Sequence, residues 1–277
     1  MKICEILKIA KCKTPFEKRE VEILLAEILQ KNRAFLCAHP DFEISQNAAK
    51  KFFENLKKLQ NSKPLAQILR RKIFCGFEFF IDENVLIPRD ETEILVKKVC
   101  AFAAEFAKCE IVEIGAGSGC VAISLFLKLK NLQKNFQIFA GEISSKSLKI
   151  ARKNAQKLNA EIKFFESNLL QNLPTEISSR PIFAANLPYI AANEILPKSV
   201  FDFEPHRALF GGKNGVEIYE KFLNEIAQKF PNFRAIFCEI DPQQKTFFEK
   251  FCKVNFPARR IEFFKDLNSK TRVVKIF

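Results

Sequence analysis

Asn186 carries a carbonyl acceptor and an NH2 donor on one side chain. That pairing can grip an amide or an amino-substituted ring. It sits in the run Phe183-Ala184-Ala185-Asn186-Leu187-Pro188-Tyr189. Pro188 restricts Leu187 to extended backbone and has no N–H of its own, so a tetrad fixed this way can aim backbone carbonyls at a ligand. Tyr189 can stack on a planar group. The apolar residues before Asn186 read as a buried strand, and open α/β sheets bind ligands beyond the carboxyl ends of their strands. A strand followed by a plain proline turn fits the same residues, so the rest of the chain has to decide.

The second chemical signal is Glu113-Ile114-Gly115-Ala116-Gly117-Ser118-Gly119. Residues 111–114 read as a strand, 115–119 as a small-residue turn, 121–129 as an apolar helix and 137–143 as a second strand. Glu142 then falls near the carboxyl end of that second strand. Glycines let the backbone approach a ligand closely, and an acid at the next strand end can accept both ribose hydroxyls. The spacing is G-x-G-x-G, tighter than the dinucleotide pattern that makes room for a pyrophosphate. With Glu113 before it, the loop fits a nucleoside carrying an amino acid, namely S-adenosylmethionine.

The elements that must position these residues can be placed by periodicity. The first 70 or so residues read as helices: Val21, Leu24, Leu25, Ile28 and Leu29 form one stripe, and Ala49, Phe52, Phe53 and Leu56 another. Pro15 suits a helix start, Ser45 an N-cap, and His39 a loop. Residues 73–81, with Gly76 in the middle, read as a strand or hairpin. In Leu86-Ile87-Pro88-Arg89-Asp90-Glu91-Thr92-Glu93, Asp90 and Glu93 have capping-box spacing before a helix with Leu95, Val99, Phe102 and Phe106 inward. Two readings of this stretch stay open, helix capping alone or one wall of a pocket. Alternation continues with a helix at 145–158, strands at 161–166 and 182–186, an irregular insertion at 190–215, a helix at 216–230, a strand at 234–240 and a helix at 242–252. The last two strands, 259–265 and 272–277, are too close for a crossover and must pair antiparallel. The architecture expected is α/β, similar to the Rossmann-like class I methyltransferase fold with seven strands.

Composition bounds the function. The chain has 277 residues and a formal net charge of +13, with lysines spread rather than massed in one tract. A polyanion or acidic-protein partner and a solvated lysine-rich surface both fit that charge. Nine scattered cysteines without C-x-x-C argue against zinc and a disulfide framework, and for a reducing cytoplasm. No metal site is expected. No run of roughly 18 apolar residues exists, so no membrane span is expected. Phe occurs 31 times while Trp is absent and Tyr occurs twice, so most Phe must fill core.

On these motifs the chain resembles the release-factor glutamine N5-methyltransferases over essentially its whole length. The resemblance rests on the helical start, the 86–93 element, the glycine loop, Asn186-Leu187-Pro188-Tyr189, and Glu204-Pro205 followed by Ala208-Leu209 and the pair Gly211-Gly212. It implies a helical substrate-docking domain at 1–71, a linking β-hairpin at 72–84 and a methyltransferase domain at 85–277. It also implies a cytoplasmic, monomeric enzyme that methylates the glutamine amide in the Gly-Gly-Gln loop of class 1 peptide-chain release factors. The cofactor would be S-adenosyl-L-methionine, leaving as S-adenosyl-L-homocysteine. By position, Gly115, Ala116, Gly117, Ser118 and Gly119 would line the methionine part, Glu142 would bind the ribose, and Asn168 and Leu169 would sit by the adenine. Asn186 and the carbonyl of Leu187 would hold the target amide, with Pro188 stiffening the clamp and Tyr189 packing against it.

Two positions depart from the family pattern. Leu187 replaces the first proline of Asn-Pro-Pro-Tyr, and Asn168 stands where aspartate is usual. Both weaken pre-organisation and neither deletes a needed group. Two other readings are an adenine-N6 or other nucleic-acid amino methyltransferase, which shares the tetrad, and a non-catalytic scaffold of the same fold. Direct nucleic-acid binding is not expected, because no target-recognition domain is visible and the 190–215 insertion is not strikingly basic.

Overall fold

A computed structural model describes residues 1–13, 18–133 and 135–277. Pro15 falls outside them. The chain forms two compact units, one of residues 1–71 with 196–203 and one of 72–195 with 204–277.

The first unit is helical: α1 (Ile3–Lys13), α2 (Lys18–Ile28), α3 (Arg33–Ala38), α4 (Gln46–Gln60) and α5 (Leu65–Leu69). The two stripes read from the sequence meet in one core. Leu24, Leu25 and Phe52 are fully buried there beside Ile3, Ile6 and Leu56. Ser45 caps α4 by accepting from the Ala48 N–H at 3.2 Å, and Asn32 caps α3 through the Phe35 N–H at 2.8 Å. Each satisfies a donor the first helical turn leaves orphaned. His39 ends α3 and stacks on Phe35, with ring centroids 4.3 Å apart.

The second unit carries the sheet. A hairpin of β1 (Arg71–Phe74) and β2 (Phe77–Phe80) turns at Cys75 and Gly76, both at positive φ. The chain continues through α6 (Glu93–Ala103), β3 (Lys108–Ile114), α7 (Cys120–Asn131), β4 (Asn135–Glu142), α8 (Ser145–Lys157), β5 (Lys163–Glu166) and β6 (Ile182–Ala185). After β7 (Ile190–Ala191), α9 (Lys198–Phe201, in the first unit) and β8 (Phe210–Gly212) come α10 (Glu217–Lys229), β9 (Ala235–Glu239), α11 (Lys245–Asn255), β10 (Ile261–Lys265) and β11 (Thr271–Ile276). Seven strands form one sheet in the order β10-β11-β9-β6-β3-β4-β5. The four inner pairings from β9 to β5 and the hairpin follow the expected logic: β9, β6, β3, β4 and β5 run parallel, and β11 pairs antiparallel with both β10 and β9. The parallel strands are covered on both faces, which is why β6 and β9 are uninterrupted buried runs instead of alternating ones. Chain order reverses between β3 and β6, so this is the topological switch point of the sheet.

Three local expectations are corrected. Asp90 and Glu93 make no capping box. Residues Asp90–Thr92 form a 3-10 turn without a side-chain cap, Asp90 pairs with Lys72 at 2.8 Å, and Glu93 accepts from the Cys75 N–H at 2.6 Å. The tight hairpin turn leaves that amide in need of an acceptor, and Glu93 reaches it. Second, the 190–215 insertion contains ordered strand: β7 and β8 pair in parallel. Third, the inward face of α6 is Leu95, Val96, Val99, Cys100 and Ala103, while Phe102 is only half-buried and meets Phe106 edge-to-face. Among the described residues no helix is long and apolar enough to cross a membrane.

Candidate active site

Register places the two chemical signals side by side. Ile114 of β3 is opposite Ala185 of β6, so Gly115 and Asn186 leave the sheet as neighbours at its switch point. A Cβ on Gly115 would lie 3.1 Å from Leu187 Cδ2 and 3.6 Å from the Asn186 carbonyl oxygen. Gly115, Gly117 and Gly119 take φ of +82°, +53° and +78°, the region L side chains avoid. The Gly115 and Ala116 N–H groups donate to the Gly141 carbonyl at 2.8 and 3.1 Å, which ties the loop to the end of β4.

Two carboxylates hold the loop. Glu142 accepts from the Gly117 N–H and the Ser144 N–H, both at 2.9 Å, one on each oxygen. Each carboxylate oxygen has two lone-pair sites, so a pair of acceptors remains for a ligand diol. Glu113 is buried and accepts from the Ala122 N–H in the first turn of α7 at 2.9 Å. Burial pushes its carboxyl well above the usual range. The Ala122 bond pulls it back, and the Glu142 charge pushes it up again.

A cavity of about 690 Å³ opens at this edge. Gly115, Ala116, Gly117, Ser118, Glu142, Asn168, Leu169, Asn186, Leu187 and Pro188 all line it. Gly119 and Tyr189 do not. A Cβ on Gly119 would meet Ile123 Cδ1 at 3.0 Å and Ala151 Cβ at 3.1 Å, so this glycine lets α7 and α8 pack closely. Tyr189, where the sequence suggested a stacking surface, is packed against the core beneath the tetrad, and its hydroxyl lies 3.5 Å from Glu239 Oε1. Burial, then the Glu239 charge, pushes its phenol up. Leu169 has φ of +51°, and the turn it makes is held by the Ser167 hydroxyl donating to the Leu169 carbonyl at 2.8 Å.

Several supporting residues escaped the sequence reading. The Asn186 Nδ2 donates to the Thr92 hydroxyl at 3.2 Å. The Leu187 N–H donates to the Tyr219 hydroxyl at 3.2 Å, and that hydroxyl donates to the Glu239 carbonyl. Asn154 of α8 is fully buried and exchanges bonds with the Phe80 N–H and carbonyl at 2.7 and 3.0 Å, and donates to the Ser118 carbonyl at 2.9 Å. Glu204 accepts from the Ile87 N–H at 2.9 Å and pairs with Arg89, so the 86–93 element is tied to the Glu204-Pro205 motif and lines the pocket through Pro88 and Arg89. His206 sits in a 3-10 turn against the Phe210 ring. The only signal for Thr92 was its place in a motif already noted. Tyr219 and Asn154 lie within helical stripes and carry no signal of their own.

The described site has relatives. Residues 6–69 match the PrmC N-terminal domain, and residues 90–196 match the methyltransferase small domain. The release factor glutamine methyltransferase of Dictyoglomus turgidum is 36% identical, with 93% of this chain and 90% of the relative covered. That of Bacillus cereus is 32% identical over 91% and 90%, and that of Leptospira interrogans 32% identical over 98% and 93%. Among solved structures, the N-terminal domain of human METTL16 in complex with SAH superposes with a TM-score of 0.53 at 13% identity, covering 91% of this chain and 93% of that one. A human methyltransferase 10 domain containing protein gives 0.52 at 16%, covering 84% and 98%. At these identities the likeness is one of fold.

Proposed function

This chain belongs to the release factor glutamine methyltransferase family, and on that premise we propose that it methylates the side-chain amide nitrogen of the glutamine in the Gly-Gly-Gln loop of class 1 peptide-chain release factors. The observation that carries the reading is the adjacency of Gly115 and Asn186 at the switch point, which brings a nucleoside loop and an amide-gripping side chain to one cavity.

S-Adenosylmethionine is the cofactor, and when bound it supplies a methyl already activated by a sulfonium. The residues fit it. The three left-handed glycines leave a backbone-walled hollow, and a Cβ on Gly117 would meet nothing within 4 Å, so that side of the loop is open. Gly115 to Ser118 would hold the amino-acid part, the free acceptor sites of Glu142 the ribose, and Asn168 with Leu169 the adenine. Asn168 keeps a carbonyl acceptor for an exocyclic amino group.

An amide nitrogen is a poor nucleophile because its lone pair is delocalised into the carbonyl. The protein's task is therefore orientation. With Nδ2 held by Thr92, Asn186 presents Oδ1 to one amide N–H of the substrate, and the Leu187 carbonyl accepts the other. These bonds turn the nitrogen toward the methyl, a positioning effect worth about 7–11 kcal/mol in favourable cases. The same acceptors stabilise the positive charge that grows on nitrogen. No general base is required, since the methylated amide loses its proton readily. Tyr189 acts from below, bracing the tetrad through Glu239. Residues 1–71 are assigned to docking the release factor, 72–84 to the linking hairpin and 85–277 to transfer, in a cytoplasmic monomer.

The test is methyl transfer from labelled S-adenosylmethionine to a purified class 1 release factor, run beside tRNA, ribosomal RNA and duplex DNA. Label in the release factor alone supports the reading. Label in a nucleic acid alone overturns it.

A further inference from the structure

An asparagine amide can serve a ligand in either of two orientations related by a flip, and the two offer opposite chemistry. One shows the cavity an acceptor, the other a donor. A clamp for a substrate N–H works only in the first. Something must choose, and the choice is made behind Asn186.

Three observations bear on it. Thr92 lines the cavity, is 2% exposed, and its hydroxyl lies 3.2 Å from Asn186 Nδ2. A hydroxyl has a single hydrogen. If that hydrogen is committed elsewhere, only lone pairs face Asn186, and the NH2 must point toward Thr92. Second, Glu239 stands where the hydrogen can go. Ala185 of β6 is opposite Cys238 of β9, so Asn186 and Glu239 follow as neighbours at the ends of adjacent parallel strands. Third, the Glu239 side chain is buried at 2% exposed, and its Oε2 has no hydrogen-bond partner of ordinary geometry, while Oε1 takes only the long contact from the Tyr189 hydroxyl at 3.5 Å. An under-satisfied buried carboxylate is a strong claimant for any nearby hydroxyl hydrogen.

We propose that Thr92 and Glu239 are positioning residues that fix the flip of the Asn186 amide, Glu239 by drawing the Thr92 hydrogen and Thr92 by then accepting from Asn186 Nδ2, so that Oδ1 is the atom shown to the substrate. Burial pushes the Glu239 carboxyl up to about 7, and the Thr92 hydroxyl beside it pulls the other way. Arg272 also pulls it down, and Glu91 pushes it up. Neither residue touches the reacting atoms. The inference rests on the proposed amide transfer for its kinetic consequence, while the flip itself can be read without any substrate.

Two measurements separate these. The Asn186 side-chain NH2 pair is located in the amide spectrum of 15N-labelled protein by its loss in Asn186→Ala. Thr92→Val removes the hydroxyl at nearly constant shape, and Thr92→Ser keeps it. The Asn186 pair is expected to shift and to exchange faster with water in Thr92→Val and to return toward its wild-type position in Thr92→Ser. An unmoved pair in Thr92→Val overturns the proposal, whatever the substrate proves to be. Kinetically, Thr92→Val should lower kcat by about tenfold or more with S-adenosylmethionine affinity by calorimetry unchanged, and Thr92→Ser should recover to within about threefold. Because Glu239 acts through Thr92, Glu239→Gln should add little to the kcat loss of Thr92→Val. Fully additive losses, or a Thr92→Ser variant as slow as Thr92→Val, contradict it. If the wild type methylates no release factor, the proposed function fails, and the spectrum still decides the flip.

Discussion

The backbone N–H of Leu187 donates to the Tyr219 hydroxyl at 3.2 Å, a bond that a proline at position 187 would delete. The family tetrad has proline there. Leu187 gives up that stiffness, and the Tyr219 hydroxyl, anchored in turn on the Glu239 carbonyl, restrains the same peptide from behind. The acceptor carbonyl of residue 187 is thus held by a hydrogen bond where a proline would hold it by its ring.

Tyr219→Phe should therefore cost about 1–3 kcal/mol of stability, since it leaves a buried N–H and a buried carbonyl unpaired. In a Leu187→Pro background the same change should cost less, because one of the two orphaned groups is gone. Urea titrations of the four proteins in this cycle check it. Equal losses in both backgrounds would contradict the account.

The glycines of the loop are predicted to fail in different ways. Gly119→Ala adds a Cβ 3.0 Å from Ile123 Cδ1 and 3.1 Å from Ala151 Cβ, on top of its left-handed φ, so it should lower the melting temperature clearly. Gly117→Ala meets nothing within 4 Å and suffers mainly backbone strain of about 1–2 kcal/mol. Its Cβ enters the open hollow, so calorimetry should show S-adenosylmethionine affinity falling more in Gly117→Ala than its stability alone would suggest.

Arg89 neutralises Glu204, whose side chain is 1% exposed. Arg89→Met leaves that carboxylate with the Ile87 N–H alone, and a loss on the order of 3 kcal/mol is expected from the uncompensated buried charge. Arg89→Met combined with Glu204→Gln should recover most of it. Thermal melts of the single and double variants provide the comparison.

Glu239 gives the protein a pH signature. Its folded carboxyl is raised from 4.5 to about 7. Below the lower value both folded and unfolded states hold the proton, and nothing changes. Between the two, the unfolded chain releases a proton the folded one keeps, so stability falls as pH rises, and above about 7 the deficit is constant. The stability of wild type minus that of Glu239→Gln should therefore decline across this window. Thr92, Arg272, Glu91 and Tyr189 surround the group and remain in both proteins.

Much of the fold was legible because its signals are periodic. The apolar runs of β3, β6 and β9, the helix stripes and the short link between β10 and β11 dictated a parallel sheet closed by an antiparallel hairpin. The glycine loop and the tetrad were legible because their residue types have few other uses. What stayed hidden depends on partners far apart in sequence. Glu93 reads as a cap but serves Cys75, and Asn154, which carries no signal of its own in the sequence, ties Phe80 to Ser118. Tyr189 reads as a stacking group but faces Glu239, since the strand it follows turns its ring toward the core.

The central claim is that Asn186 grips a glutamine amide. The most direct measurement is the intact mass of a cognate release factor after incubation with the protein and S-adenosylmethionine, followed by peptide mapping, with Asn186→Ala run alongside. The account predicts one added methyl on the glutamine of the Gly-Gly-Gln loop for the wild type, none for Asn186→Ala, and similar cofactor affinity for both. Full methylation by Asn186→Ala, or a methyl on any other residue, would contradict it.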